Sequence, residues 1–231
     1  MNRPGQTSAQ GLKVAAPAVA LFDLDGTLVV GQTQVLLVKF LRRAGVVSRT
    51  FLLGMAVWFI AYKAGWVKVT EESREKGARA FKGLAERDVE GLMTRFTEEM
   101  MLPRLHPAAA AALAQHIAAG DHVAVVSAAL EPVVKSLCLR LGVVEYAGAP
   151  CEITGGYYTG RLSGLTPYAH EKARVAARLM TRWGADPADC WAYADHDTDL
   201  ALLRSVGHPV AVNPRPGLLE EARRAGWPIL R

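Results

Sequence analysis

From residue 104 onward the chain alternates strand-length apolar runs with helix-length segments, a rhythm that few folds accommodate. Helices are expected over 108–119, closed by Gly120, and over 131–141, closed by Gly142, with a buried strand at 122–127 between them. Residues 145–164, rich in Tyr and Gly, read as a strand followed by a hairpin or loop. A helix over 168–183, a strand over 190–194, a short helix over 199–206, a strand over 208–212 and a last helix over 216–225 complete the series. Residues 18–24 (AVALFDL) supply one more strand upstream. Such alternation implies an α/β fold with a parallel, doubly wound sheet between two layers of helices.

The interval after the first strand has another texture. From about residue 30 to 102 the signals are helical: residues 35–41 have helical apolar spacing, 51–62 (FLLGMAVWFIAY) are apolar all round, and 71–82 are charged, with Glu72/Lys76 and Glu75/Arg79 at i,i+4. The expected organisation is a flexible leader at 1–17, a core built from 18–30 and 104–231, and a small all-helical cap at 31–103 inserted between them. The twelve-residue apolar run is too short to span a bilayer, which takes ~20 residues.

An apolar content of 51% excludes a disordered chain. The 27 Lys and Arg outnumber the 22 Asp and Glu, and the surplus is local: residues 40–82 hold nine basic residues against three glutamates. That distribution speaks against a nucleic-acid binder and for a basic module facing an anionic ligand or surface. Arg42, Arg43 and Arg49 precede the apolar run, and Lys63, Trp66 and Lys68 follow it. Two readings stay open there: packing against the core or a second copy, and peripheral contact of residues 51–68 with lipid headgroups. Cys138, Cys151 and Cys190 are odd in number and lack metal-ligand spacing. The expectation is a reducing cytoplasm, with the inner membrane face as the alternative.

Four segments carry candidate chemistry. FDLDGTL, residues 22–28, puts Asp23 and Asp25 at the end of a strand, where alternation sends both carboxylates to one side and Gly26 with Thr27 makes a tight turn. Two converging acids need a cation between them or a shared proton, although the fragment alone also suits a solvated turn. Ser127, at the end of the second strand, is followed by Ala128 and Ala129, small enough for backbone amides to approach an anion; helix caps use the same residue type. Lys172 opens a helix, where a basic residue is ordinarily solvated surface. Asp195 and Asp199, four apart in YADHDTDL, follow another strand.

In this order the four segments resemble the signature of the haloacid dehalogenase superfamily, from about Val19 to the C-terminus. With helices between the first two motifs, the chain looks closest to subfamily IB, the phosphoserine phosphatase-like branch, whose ending residues 207–230 also resemble. The resemblance implies a Rossmann-type three-layer core and a Mg2+-dependent hydrolase of small phosphate monoesters. Asp23 would be the nucleophile that becomes an aspartyl-phosphate, and Asp25 the general acid and base. Mg2+ would be held by the Asp23 carboxylate, the Asp25 carbonyl and the Asp195 carboxylate. Ser127, the Ala128 amide and Lys172 would bind the phosphate oxygens, Thr27 would fix the turn or touch the phosphate, and Asp199 would orient Lys172 or a metal-bound water.

Departures narrow the substrate. Where the phosphoserine phosphatases carry a Glu for the substrate ammonium this chain has Gln32, and where they carry a cap Arg for the carboxylate it has Gly77, with Arg79 nearby. Serine phosphate is therefore disfavoured. His196 and Ala194 stand where relatives often have Ser and Gly, and His196 is read either as a pH-tuning group or as a loop cap. Alternatives are a phospholipid phosphate monoesterase at the membrane surface and a non-catalytic membrane- or partner-binding module.

Overall fold

The computed structural model describes residues 18–48, 53, 54, 57 and 71–231. The expected leader lies outside the described residues, as does most of the apolar segment 51–68. Six parallel strands form the sheet: β1 (Val19–Phe22), β2 (His122–Leu130), β3 (Glu145–Ala149), β6 (Trp191–Ala194), β7 (His208–Val212) and β8 (Ile229–Leu230), in the order β3-β2-β1-β6-β7-β8. β4 (Cys151–Thr154) and β5 (Tyr157–Leu162) make a separate antiparallel hairpin. The core helices are α4 (Pro107–Ala119), α5 (Glu131–Leu141), α6 (His170–Arg182), α7 (Leu200–Leu203) and α8 (Pro216–Ala225). Between β1 and α4 lie α1 (Thr33–Arg43), α2 (Glu71–Ala78) and α3 (Glu86–Phe96).

Strand alternation sorts the core into two apolar layers. Val19 and Leu21 of β1, Ala124 and Val126 of β2, and Ala192 and Ala194 of β6 face α6, α7 and α8. Ala20, Phe22, Val123, Val125 and Tyr193 face the other way, into a cluster shared with α4, α5 and the residues of α1 and α3. Beneath the strand ends, the Phe22 and Tyr193 rings stack at 4.2 Å, and the Tyr193 hydroxyl meets His116 Nε2 at 2.8 Å. Helix punctuation follows the sequence: Pro107 and Pro216 open α4 and α8, while Gly120 and Gly142, at φ of +81° and +72°, close α4 and α5.

The inserted helices are anchored at their base. Val89, Met93 and Phe96 of α3 are buried in the cluster that also holds Val134 and Leu137 of α5. Where α3 passes into a π-helical turn, Thr97–Met101, the buried Thr97 hydroxyl meets that of Ser136 at 2.7 Å. The hairpin docks on the same insertion through Tyr158 N–H to Leu84 O at 3.0 Å, Gly83 N–H to Tyr158 O at 2.8 Å and the packed Phe81 and Tyr158 rings.

Several boundaries differ from the sequence expectation. β2 runs on to Leu130 because β3 continues to pair with it past a register shift, Leu130 facing Ala149. The expected helix over 199–206 is a 3-10 turn at Asp197–Asp199 followed by the four-residue α7. α2 ends at Ala78 and a 3-10 turn at Arg79–Phe81 follows it. β8 was not expected: its two residues carry no pattern of their own and are strand only because β7 pairs with them. Among the described residues no helix is long and apolar enough to cross a membrane.

Candidate active site

β1 is flanked by β2 on one side and β6 on the other, so the chain leaves the sheet in opposite directions beside it. Such a point opens a crevice at the carboxyl ends of the strands. Asp23 is the first residue past β1; its N–H bonds Tyr193 O at 2.9 Å, which ties it to β6. The turn then closes through Gly26 N–H to Val29 O and Val29 N–H to Leu24 O, at 2.8 and 2.9 Å. Gly26 has φ +82°, and a Cβ there would stand 2.2 Å from Asp195 Oδ2, so only glycine lets the two strand-end loops approach this closely.

Lys172, on the first turn of α6, is 4% exposed and joins the acids. Its Nζ donates to Asp23 Oδ1 at 2.5 Å and to Asp199 Oδ2 at 2.9 Å. Burial alone pulls the ammonium's pKa down, but the Asp23 and Asp199 charges overrule it and the group sits above its ordinary range. The Thr27 hydroxyl reaches the other Asp23 oxygen, Oδ2, at 3.3 Å. Asp23, Asp195 and Asp199 are buried, and each offers a carboxylate oxygen within 4.8 Å of the others.

Burial pushes the Asp195 carboxyl up to about 7, with Asp23 adding to the rise and Arg215 opposing it. Asp199 is raised to about 6, again chiefly by burial, against the pull of Lys172. Three clustered carboxylates, those of Asp23, Asp195 and Asp199, face two cations, Lys172 and Arg215. Fully ionised, the cluster lacks positive charge, and its donors are hard oxygens. That donor set fits a divalent cation such as Mg2+.

Asp25 turns elsewhere. Its Oδ1 accepts the Thr33 N–H at 2.5 Å, one of the donors left free at the start of α1. Burial raises this carboxyl to about 6, the Thr33 amide opposing and Asp23 adding. No backbone hydrogen bond of the described residues ends on the Asp25 carbonyl. Its carboxylate is not part of the three-acid cluster, whereas Asp199, expected only in support, is.

Ser127 and Ala128 lie at the same edge, two and three residues beyond the Phe22–Val125 pair. The buried Ser127 Oγ accepts the Ala129 N–H at 3.1 Å, within the stretch where β2 shifts register against β3. His196 caps a loop: its Nδ1 accepts the Thr198 N–H at 3.1 Å beside Asp197. Two contacts were absent from the sequence reading. Arg215 donates its N–H to Asp195 O at 2.9 Å and brings Nε to Oδ2 at 3.3 Å. Thr33 supplies the amide for Asp25. The place of Arg215 just beyond the end of a parallel strand was the available signal.

The profile of haloacid dehalogenase-like hydrolases matches residues 20–204, a span that contains the whole crevice apart from Arg215. The chain belongs to this family. Among curated proteins this hydrolase is similar to a histidinol-phosphatase of Neisseria meningitidis, 27% identical over 92% of this chain and 97% of the relative. It is also similar to a phosphoserine phosphatase of Mycobacterium tuberculosis, 27% identical over 99% of this chain and 77% of that one. Among solved structures, a protein of unknown function from Bordetella pertussis Tohama I superposes with a TM-score of 0.84 at 26% identity, covering 94% of this chain and 99% of its own. The haloacid dehalogenase-like core and its α/β layering thus agree with the expectation from the four segments.

Proposed function

We propose that this hydrolase cleaves small phosphate monoesters through a phosphorylated Asp23. The observation that carries the reading is the buried Lys172 bridging Asp23 and Asp199 beside Asp195. Two anions, a carboxylate and a phosphate, approach one another only where fixed positive charge meets the phosphate oxygens. Mg2+, held by the Asp23 and Asp195 carboxylates and the Asp25 carbonyl with Asp199 alongside, would supply part of that charge. Lys172 supplies another part, and the Ser127 hydroxyl and Ala128 amide add hydrogen bonds to the same oxygens.

Asp23 attacks phosphorus, the new bond from its carboxylate oxygen forming as the bond to the ester oxygen breaks. Asp25, whose pKa of about 6 leaves part of it protonated near neutrality, gives its proton to the departing oxygen. The same carboxylate then takes a proton from the water that attacks phosphorus and frees Asp23. Thr27 holds the spectator oxygen of Asp23. Residues 31–103 act as the cap that covers the crevice, excludes bulk water and selects the substrate.

At the position of the relatives' carboxylate-binding Arg this chain has Gly77. A Cβ on Gly77 would meet only Leu130 Cδ1, at 3.8 Å. With Gly77 where the relatives bind the carboxylate and Gln32 where they bind the ammonium, a phosphate monoester other than serine phosphate suits this chain better, and the name of the Neisseria relative puts histidinol phosphate among those to test. The test is a panel of p-nitrophenyl phosphate, phosphoserine, histidinol phosphate, sugar phosphates and a lipid phosphate, with Mg2+ and with EDTA. Mass spectrometry of acid-quenched enzyme should place a phosphoryl group on Asp23. Turnover without modification at that residue overturns the mechanism, and phosphoserine as the best substrate overturns the specificity.

A further inference from the structure

The turn after α2 and the strand β5 enclose a pocket of about 470 Å3, lined by Glu75, Arg79, Lys82, Thr159, Gly160 and Arg161. None of the crevice residues lines it. Gly77 of α2 faces Leu130, whereas Glu75 and Arg79, two positions to either side, lie ~200° away around the helix and so on the outward side.

The cations are brought together by the backbone. Gly160 has φ +81°, and a Cβ there would stand 2.9 Å from Lys82 Cβ and 3.3 Å from Arg79 Cα. A glycine at this point lets β5 press against the 79–82 turn, which sets Arg161 beside Arg79 and Lys82. Like charges gathered this way repel unless an anion lies among them. Some surface arginines have acidic partners, as in Arg95–Glu99, Arg182–Glu145 and Arg204–Glu221, while others, such as Arg178 and Arg223, stand alone among the described residues without neighbouring cations in a shared pocket. Among the described residues Arg79, Lys82 and Arg161 have no ion pair. The acids close by are Glu75, in the lining, and Glu152, whose carboxylate accepts the Thr159 hydroxyl at 2.6 Å.

We propose that this pocket is a second anion site, separate from the catalytic crevice, that takes a phosphate-type group. Three cations against one lining glutamate leave a double positive charge, and two guanidinium forks match the paired oxygens of a phosphate. A free phosphate compound and a phospholipid headgroup present the same chemistry, and two of the pocket's cations, Arg79 and Lys82, belong to the basic stretch of the sequence, residues 40–82. The inference does not depend on the catalytic reading.

The test uses the full chain with Mg2+. Inorganic phosphate is titrated while backbone amide signals of residues 79–82 and 159–161 are followed, and co-sedimentation is measured with vesicles of phosphatidylcholine alone or mixed with phosphatidylglycerol. Saturable shifts at these amides identify a free anion as the occupant; retention on the mixed vesicles alone identifies a headgroup. In either case Lys82→Glu combined with Arg161→Glu should weaken binding ~10-fold or more. The milder Arg161→Gln should weaken it less, and p-nitrophenyl phosphate turnover should be unchanged in both variants. Absence of both interactions, or their persistence in the charge-reversed protein, overturns the proposal. Loss of turnover in the unaltered chain would instead count against the catalytic reading and leave the amide shifts to decide this one.

Discussion

The crevice at the strand ends and the base of the insertion, where α3 meets α5, are both buried and both contain polar groups, yet they are built on opposite terms. At the base the buried Thr97 and Ser136 hydroxyls satisfy each other among Val89, Met93, Phe96 and Leu137. Charged pairs there, such as Lys135–Glu90 at 2.7 Å, stay on the exposed rim. In the crevice the acids outnumber the cations, and burial holds the Asp25, Asp195 and Asp199 carboxyls at about 6, 7 and 6. One place is arranged for stability, and the other keeps an excess of negative charge that a divalent cation can fill.

The contrast can be broken by exchanging the outcomes expected of each place. Asp23→Asn should lower turnover by ~10⁴-fold or more, as loss of a nucleophile does, without lowering Tm, because it removes one of three crowded acids. Paired rate and thermal-melt measurements check both halves, and a destabilised Asp23→Asn protein would put this residue among the structural ones. Lys172→Met should cost ~10²-fold in turnover and also lower stability, since Asp23 and Asp199 then stay buried without their counterion.

Phe96→Ala should show the reverse pattern. A loss of about 3–5 kcal/mol in urea unfolding is expected for an emptied aromatic site, with kcat retained below the melting transition. Asp195→Asn should raise the Mg2+ concentration for half-maximal rate ~10-fold or more, as expected when a metal ligand loses its charge. Direct Mn2+ titration provides the check independent of turnover, and an unaltered metal requirement would remove Asp195 from the coordination set. Smallest of all, Thr97→Val should cost about 1–2 kcal/mol by orphaning the Ser136 hydroxyl, with kcat unaffected.

Much of the fold was legible because it rests on short-range signals. α5, α8 and β7 coincide with their expected spans, their ends being marked by Gly142, Pro216 and the length of an apolar run. The four-segment motif named Asp23, Lys172, Asp195 and Asp199, all of which meet in the crevice. Thr33 and Arg215 escaped notice for a different reason. One acts through its backbone amide, which every residue but proline possesses, and the other reaches Asp195 from the loop after β7, a strand that is not next to β1.

Periodicity, glycine and proline placement and the order of acidic strand ends were therefore enough to establish the sheet class, the family and most of the acids, since each depends on a few neighbouring residues. The strand order was beyond them, and with it the meeting of Lys172 and Asp23 across 149 positions and the Gly26–Asp195 approach. The strand β8 and the pocket between β5 and the 79–82 turn also had to wait for the folded chain. Contacts between distant segments depend on which strands become neighbours, and that choice is made by packing both faces of the sheet at once.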